Sequence, residues 1–170
     1  IVDGSNLIYA IFQNVNNSYN TGVEFVLAHK FSKLFNSNIN VNAYRNQIDA
    51  FTVVNKYPED HVFSAEQQLA YSGNLKFNNN FSFSNNVEAQ ITAVYLAPDI
   101  IPQGKIQSRF SLDFGIKKSM QKGKGEVFLN ATDILNTMII KKEIMGNNFK
   151  YTSDDYYETQ VIRFGYNYKF

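Results

Sequence analysis

Several residue types that carry chemistry in other proteins are absent or scarce in this chain of 170 residues. It contains no cysteine and no tryptophan, and only two histidines and three prolines. Without cysteine there is no disulfide, no thiolate metal site and no cysteine nucleophile. The 16 basic and 15 acidic residues nearly cancel, which argues against a protein that binds nucleic acid through its phosphates.

Long apolar runs are also missing. No uncharged apolar stretch approaches the roughly 18–20 residues of a membrane helix, which excludes a helical membrane protein. A membrane β-barrel is not excluded, because alternation dilutes its apolar residues. Aromatic and amide residues are abundant instead: the chain has 15 Phe, 11 Tyr and 22 Asn, and its mean hydropathy is −0.30.

The apolar residues recur with a period of two. From residue 106 to residue 116 the even positions read Ile, Ser, Phe, Leu, Phe and Ile, whereas the odd positions 107–117 read Gln, Arg, Ser, Asp, Gly and Lys. Alternate residues of a strand point to opposite faces, so this segment is a strand with one apolar and one polar face. The same alternation recurs at 19–27, 69–77, 87–95 and 162–170, and it is poor at 37–52.

This pattern predicts an all-β, antiparallel, up-and-down transmembrane barrel. We expect about eight strands, near residues 5–13, 18–32, 37–52, 64–77, 82–97, 105–118, 124–143 and 157–170. Short turns are expected at Ser32–Asn36, Asn78–Asn80 and Met120–Gly123, and longer segments at Val53–Phe63, Pro98–Gly104 and Asn147–Tyr156, with a shorter one near Asn14–Ser18. If the C-terminus is periplasmic, all three short turns fall on the periplasmic side, which is the asymmetry of outer-membrane barrels.

Alternation alone is shared with soluble β-sandwiches, whose apolar face meets a second sheet. Strand length, aromatic residues near the strand ends and amide-rich polar faces favour the membrane barrel. The alternative is a soluble sandwich or binding barrel. That alternative predicts that five apolar side chains are buried inside, whereas the membrane barrel places them outside: Phe110, Leu112, Phe114, Phe164 and Tyr166.

The last strand resembles the closing strand of bacterial outer-membrane barrels. Those strands end on an aromatic residue with apolar residues at every second position before it, and here the positions are occupied by Ile162, Phe164, Tyr166, Tyr168 and Phe170. The resemblance implies that the barrel-assembly machinery reads this strand, which then seats in the lipid of the outer membrane of a Gram-negative cell.

Two further elements resemble TonB-dependent receptors of the Bacteroidetes type. One is Asp133, Ile134, Leu135 and Asn136 after an alternating strand, and the other is the strand opening at 19–25. The resemblance implies a 22-stranded barrel with a plug and a TonB box that couples to the TonB-type energy complex and imports a small-molecule or oligomeric nutrient. Residues 1–170 would then be a single barrel region, about the last third, without the plug.

Eight strands are also the number in the smallest complete barrels. The alternative to part of a 22-stranded receptor is therefore a complete eight-stranded barrel with a structural or adhesion role. The two are distinguished by whether residues 5–13 pair with residues 157–170.

Candidate interior side chains are charged residues on the predicted polar faces, where lumen charges need partners. They are Glu88, Arg109, Asp113 and Arg163, together with Glu24, Lys117 and Glu126. Arg109, Asp113 and Lys117 are spaced to form an ion network, or to line a wall that faces the plug. The carboxylates of 59–61 and 154–155 match no metal-loop spacing and are expected to be solvated loop charge.

No catalytic residue, metal site or cofactor is predicted, because no nucleophile, base and orienting group form a motif. The chain is therefore expected not to be an enzyme. Ligand-facing segments are expected in the three long loops, since loops carry specificity on a barrel scaffold.

Overall fold

The computed structural model describes residues 11–56, 60–146 and 149–170. Thirteen strands lie in these ranges: β1 (Ser18–Lys30), β2 (Phe35–Ile48), β3 (Phe51–Asn55), β4 (His61–Ala65), β5 (Gln68–Phe83), β6 (Val87–Leu96), β7 (Asp99–Ile101), β8 (Gly104–Ile106), β9 (Arg109–Met120), β10 (Gly125–Thr132), β11 (Ile140–Met145), β12 (Lys150–Asp155) and β13 (Val161–Tyr168). Short 3₁₀ turns occupy Ser84–Asn86 and Gln121–Gly123. None of the helical segments in these ranges has the length and apolar character needed to span a membrane.

The strands form one large sheet and two small ones. The main sheet has seven antiparallel strands in the order β1-β2-β5-β6-β9-β10-β13. Four short strands form a second sheet, β12-β11-β8-β7, and β3 pairs with β4 in a hairpin. Both small sheets come from the connections that follow β2, β6 and β10, so they collect at one end of the main sheet.

The register of the main sheet aligns the apolar residues of its strands. Phe25 faces Val41, Val41 faces Leu75, Leu75 faces Tyr95, and Tyr95 faces Phe110. Cross-strand pairs share a face, because side chains alternate with a period of two. The sequence alternation therefore gives one continuous apolar face and one continuous polar face across the sheet.

The apolar face of the main sheet is not covered by a second layer. The buried hydrophobic side chains of the described residues are Ile48, Phe51 and Phe63, which form a small cluster at one end. Of the five side chains that separate the two predictions, Phe164 is 75% exposed and Tyr166 is also exposed, while Phe110, Leu112 and Phe114 are partly exposed. A soluble sandwich would bury this face under a second sheet, so the uncovered face agrees with the membrane-barrel prediction.

All three tight turns lie at the end of the sheet that carries the C-terminus. Ser32 closes the β1–β2 turn, where its Oγ accepts hydrogen bonds from the backbone N–H groups of Leu34 and Phe35, both at 3.1 Å. The other two turns follow β5 and β9 and contain residues with positive φ, including Asn85 and Lys122. This end matches the predicted short-turn side.

The predicted turn at Asn78–Asn80 was wrong, since these residues lie within β5. Asparagine-rich segments favour turns because Asn tolerates the left-handed region and bonds its own backbone. Here the Asn80 side chain instead donates to Asn36 Oδ1 on β2 at 3.0 Å. The strand therefore continues to Phe83, and the turn occupies Ser84–Asn86.

Other predicted boundaries also change. The predicted strand at 124–143 ends at Thr132 and a new strand starts at Ile140. Each of the three predicted long loops contains a hairpin or part of one. Of the predicted strand at 5–13, residues 1–10 lie outside the described residues, and residues 11–13 are not in a strand.

The poor alternation of residues 37–52 has a local cause. Near the end of β2, Arg45 and Gln47 share the apolar face, whereas Ile48 shares the polar one. Ile48 is buried there against Phe51 and Phe63. The polarity of β2 thus reverses at its last residues, which still pair with β5, where the connection to β3 and β4 packs on the strand end.

The pairing of β1 with β2 requires a residue without a side chain at Gly22. A Cβ at this position would lie 2.5 Å from the Ala43 carbonyl oxygen and 2.5 Å from the Tyr44 Cβ. Since neither group can rotate away, we expect Gly22→Ala to cost roughly 1–3 kcal/mol and to reduce the amount of folded protein in outer membranes, measured by heat-modifiable gel mobility.

Gly115→Ala is the matched control for that measurement. Gly115 also lies in a strand of the main sheet, but the contact that its Cβ would make is with the end of the Asn130 side chain, which can move. We expect folded levels near those of the parent protein. Equal losses in the two variants would contradict the specific role of Gly22.

Candidate functional site: a polar wall under a cap of hairpins

The polar face of the main sheet is a wall of amides. Its most regular part consists of β2 and β5, where Asn36, Asn38 and Asn42 stand opposite Asn80, Asn78 and Asn74. Side chains bond across the strands: Asn40 Nδ2 donates to Glu24 Oε1 at 2.6 Å, and Thr92 Oγ1 donates to Asn78 Oδ1 at 3.0 Å. Part of the 22 asparagines of the chain therefore lies on one face of the main sheet.

A charged group lies on the same face towards the tight-turn end. Lys117 Nζ on β9 is 3.3 Å from a carboxylate oxygen of Glu88 on β6 and 3.6 Å from one of Glu126 on β10. All three side chains are partly solvent-exposed, so each ion pair contributes little to stability. They border an open recess of about 610 Å³ that Asn167 also lines.

The four predicted interior residues all lie on the polar face, but they do not form the expected network. Glu88 is opposite Lys117, Arg109 is opposite Leu96, Asp113 is opposite Thr92, and Arg163 is opposite Asn130. Among the described residues Lys117 pairs with Glu88 and Glu126. The spacing along the strand correctly predicted that Arg109, Asp113 and Lys117 share one face. Their ion-pair and hydrogen-bond partners, however, are determined by the residues on the neighbouring strands.

Asp113 has a structural partner instead. Its carboxylate accepts a hydrogen bond at 2.8 Å from the backbone N–H of Asp133, the first residue of the element Asp133–Asn136. Asp133 and Asn136 have positive φ values of 44° and 53°, which Asp and Asn tolerate better than most residues. The element is therefore a tight turn that docks on β9.

Asp133 organises this turn from inside. Its side chain is 2% exposed and accepts bonds from Thr159 Oγ1 at 2.6 Å and from the backbone N–H groups of Thr137 and Met138 at 3.0 and 3.1 Å. Burial alone would raise the pKa of this carboxyl, but these hydrogen bonds outweigh it and lower the pKa from its ordinary value. Residues 133–138 are named the Asp133 turn below. Ile134 and Leu135 point outward and are exposed.

The closing-strand residues also point outward. Ile162, Phe164, Tyr166, Tyr168 and Phe170 are all exposed. Tyr166 stacks near Tyr168, and Tyr168 meets Phe170 edge to face at 5.3 Å between ring centroids. An outward row of aromatic and aliphatic side chains on the last strand is suited to contact with lipid.

The small sheets form a cap at the end of the main sheet opposite the tight turns. We call the hairpin β3–β4 and the sheet β12-β11-β8-β7 together the hairpin cap. The predicted loop carboxylates Asp154 and Asp155 pair with Lys141 at 3.7 Å and Lys142 at 2.8 Å. The hydrogen bond from Lys142 lowers the pKa of Asp155, and the same bond raises the pKa of Lys142.

The other predicted carboxylate group, at 59–61, lies partly outside the described residues, because Glu59 is not among them. Within the described ranges no group of three or more His, Cys, Asp or Glu side chains is arranged to hold a metal ion.

One important side chain was missed by the sequence reasoning. Asp99 follows Pro98 in a segment predicted as a loop, and it accepts hydrogen bonds from Tyr44 Oη and Asn46 Nδ2, each at 2.8 Å. Tyr44 and Asn46 lie more than fifty residues earlier in the chain, on the polar face of β2. No local pattern signals such a pairing, because only the tertiary fold brings the two segments together.

The comparisons agree with this geometry. A profile described as the outer membrane protein beta-barrel family matches residues 1–168. No curated protein and no solved structure matches the chain significantly. The match spans nearly all of the sequence, and the two-faced antiparallel sheet is the architecture that such a family requires. The chain therefore belongs to the outer membrane protein β-barrel family.

Proposed function

We propose that the chain is the C-terminal barrel portion of a TonB-dependent receptor that imports a nutrient ligand across the outer membrane of a Gram-negative cell. The observation that carries this proposal is the open main sheet. Its edge strands β1 and β13 each have a single neighbour, β2 and β10, among the described residues. Open edges are not tolerated in hydrocarbon, and we propose that strands of a larger barrel are their partners.

Three other features support this function. The hairpin cap stands at the end opposite the tight turns, where an outer-membrane receptor captures its ligand. The amide wall and the Lys117 group would line the route of the ligand or face a plug. The Asp133 turn has a defined structure that explains why an Asp–apolar–apolar–Asn element follows β10.

In this mechanism the chain performs no chemistry on its ligand. The hairpin cap binds the ligand, and energy from a TonB-type complex, received through a plug and a TonB box outside this barrel portion, rearranges the plug and lets the ligand pass. The lipid-facing side chains of β13 would first be read by the barrel-assembly machinery and then contact lipid.

The import proposal is tested by uptake in cells with and without the gene. Labelled probes of four classes are supplied: a ferric chelate, cobalamin, a maltooligosaccharide and an oligopeptide. We expect uptake of at least one probe to fall by about tenfold or more without the gene, and to fall equally when a protonophore removes the energy source. Uptake that depends on the gene but not on energy would contradict coupling to TonB. If the uptake of all four probes is the same with and without the gene, the protein does not import these classes of ligand.

A complete eight-stranded barrel is distinguished by cross-linking in the intact protein. Because the chain has no cysteine, pairs introduced in 5–13 and in β13 have no background. We expect no disulfide between them. Efficient disulfide formation would mean that residues 5–13 pair with β13, and would favour the complete small barrel with a structural or adhesion role.

A further inference from the structure

The connection between β6 and β9 takes an indirect route. These strands are neighbours in the main sheet, so a short connection could rise straight above them. Instead, Asp99 at the start of β7 reaches the side chains of Tyr44 and Asn46 on β2. In the sheet order β5 lies between β2 and β6, so the chain turns back over two strands.

The hairpin β7–β8 turns back on the polar side. Tyr44 and Asn46 share the polar face with Asn42, because they are even-numbered residues of the same strand. A second bond runs from Gln68 Nε2 at the start of β5 to the carbonyl oxygen of Pro102, at 3.3 Å. The hairpin thus lies across the polar ends of β5 and β2, on the side that barrel closure turns inward.

Burial changes along β5 as this placement requires. Ser72 stands opposite Tyr44, and both Ser72 and Asn46 are only 9% exposed. Lys76, further along the same face of β5, is exposed. Ser72 and Asn46, beneath the hairpin, are therefore buried, whereas Lys76 on the same face is exposed.

Asp99 connects the hydrogen bonds that attach the hairpin to β2 with the apolar contacts of the next residue, Ile100. Its carboxylate also accepts a bond at 2.8 Å from the backbone N–H of Ile100. Ile100 packs against the cluster of Ile48, Phe51 and Phe63. Since β8 pairs with β11, the position of β7 also sets the position of the β11–β12 hairpin.

We propose that the β7–β8 hairpin is an inward-folded constriction of the barrel mouth and that Asp99 is the positioning residue that holds it across β5 and β2. This inference rests on the proposed function, because it treats the polar face as the inside of a transport barrel. The hairpin limits the size of solute that reaches the amide wall, and a larger ligand passes only when the Asp99 attachment opens.

The test measures thiol accessibility in outer-membrane fragments that contain the intact protein, where both ends of the barrel are reachable. Ser72→Cys reports on the covered wall. Ser82→Cys is the matched reporter, because it replaces the same residue type on the same face of β5, close to the tight turn. Each introduced thiol is labelled with a bulky polar maleimide, once in the otherwise unchanged protein and once together with Asp99→Ala.

We expect Asp99→Ala to speed the labelling of the thiol at position 72 by about tenfold or more, because three hydrogen bonds to a carboxylate are removed. The labelling of the thiol at position 82 stays unchanged. Tyr44→Phe, which removes a single hydroxyl, gives a smaller increase at position 72 and serves if Asp99→Ala does not assemble. Asp154→Asn removes an exposed ion pair on β12, the strand of the small sheet farthest from β7, and leaves both rates unchanged.

Three results would overturn the proposal. The first is fast labelling at position 72 when Asp99 is present, and the second is no change there in Asp99→Ala and Tyr44→Phe. The third is an equal increase at positions 72 and 82, which would show general loosening. None of these readouts requires transport, so failure of the import assay and failure of the constriction are separate outcomes.

Discussion

Replacing Asp133 with alanine is expected to lower the free energy of unfolding by roughly 2–5 kcal/mol. The side chain is buried and accepts hydrogen bonds from Thr159, Thr137 and Met138. Alanine leaves these partly buried donors without their acceptor, and a hydrogen bond to a charged group contributes about 1.5–3 kcal/mol. The measurement is the urea midpoint of the intact protein in detergent micelles, followed by heat-modifiable gel mobility.

Asp154→Ala is the control for this substitution. Asp154 pairs with Lys141 at 3.7 Å in an exposed ion pair of the hairpin cap, and such pairs contribute less than about 1 kcal/mol. We therefore expect an almost unchanged midpoint. Similar midpoints for Asp133→Ala and Asp154→Ala would show that the Asp133 turn is not a stabilising element.

The same site predicts a dependence on pH. Because the folded protein lowers the pKa of Asp133, this group contributes stability above the ordinary carboxyl pKa of about 4. That contribution is lost as the pH falls through the lower pKa of the folded state. Between about pH 7 and pH 3 the urea midpoint of the parent protein should fall more than that of Asp133→Ala. An equal fall in both proteins would contradict this assignment.

Phe164→Arg is expected to prevent most of the protein from assembling. Phe164 lies in the middle of β13 on the apolar face and is 75% exposed. If this face meets lipid, an arginine near the bilayer midplane costs about 2–4 kcal/mol. The measurement is the amount of protease-resistant, heat-modifiable protein in purified outer membranes.

Asn167→Arg introduces the same residue on the opposite face of the same strand. Asn167 stands opposite Glu126 and borders the recess beside Lys117, where water and carboxylates solvate a new charge. We expect normal assembly. Tolerance of arginine at position 164 but not at position 167 would mean that the polar face is the outer one. If the intact protein were soluble without detergent, the membrane assignment would be rejected.

Much of the main sheet could be predicted from the sequence, because strand periodicity is a local property. The even positions of 106–116 and 162–170 already separate the two faces, and the register confirms that these faces are continuous. The end of the sheet that carries the tight turns was also predicted from the sequence, because it follows from the order and the lengths of the segments between the strands. The prediction at Asn78–Asn80 failed because an amide run has the same composition in a turn and on a hydrated wall, and only the pairing with β2 distinguishes them.

The site depends more strongly on contacts between distant segments. The sequence placed Glu88, Arg109, Asp113 and Arg163 on the polar face, but partners across strands depend on register, which spacing along one strand does not specify. Asp133 was recognised as part of a motif, while its role required the positions of Thr159 and of the Asp113 side chain on β9.

By itself the sequence determined the class of this protein: two-faced antiparallel strands, aromatic residues at their ends and a closing strand suited to the outer membrane. Those properties follow from the alternation of apolar residues for lipid and polar residues for water, which is visible within each strand separately. The tertiary structure decided that the long connections are hairpins, that one of them folds back over β5 and β2, and that Asp99 holds it there. The physical reason is that a hydrogen bond between residues 44 and 99 leaves no periodic trace in either segment.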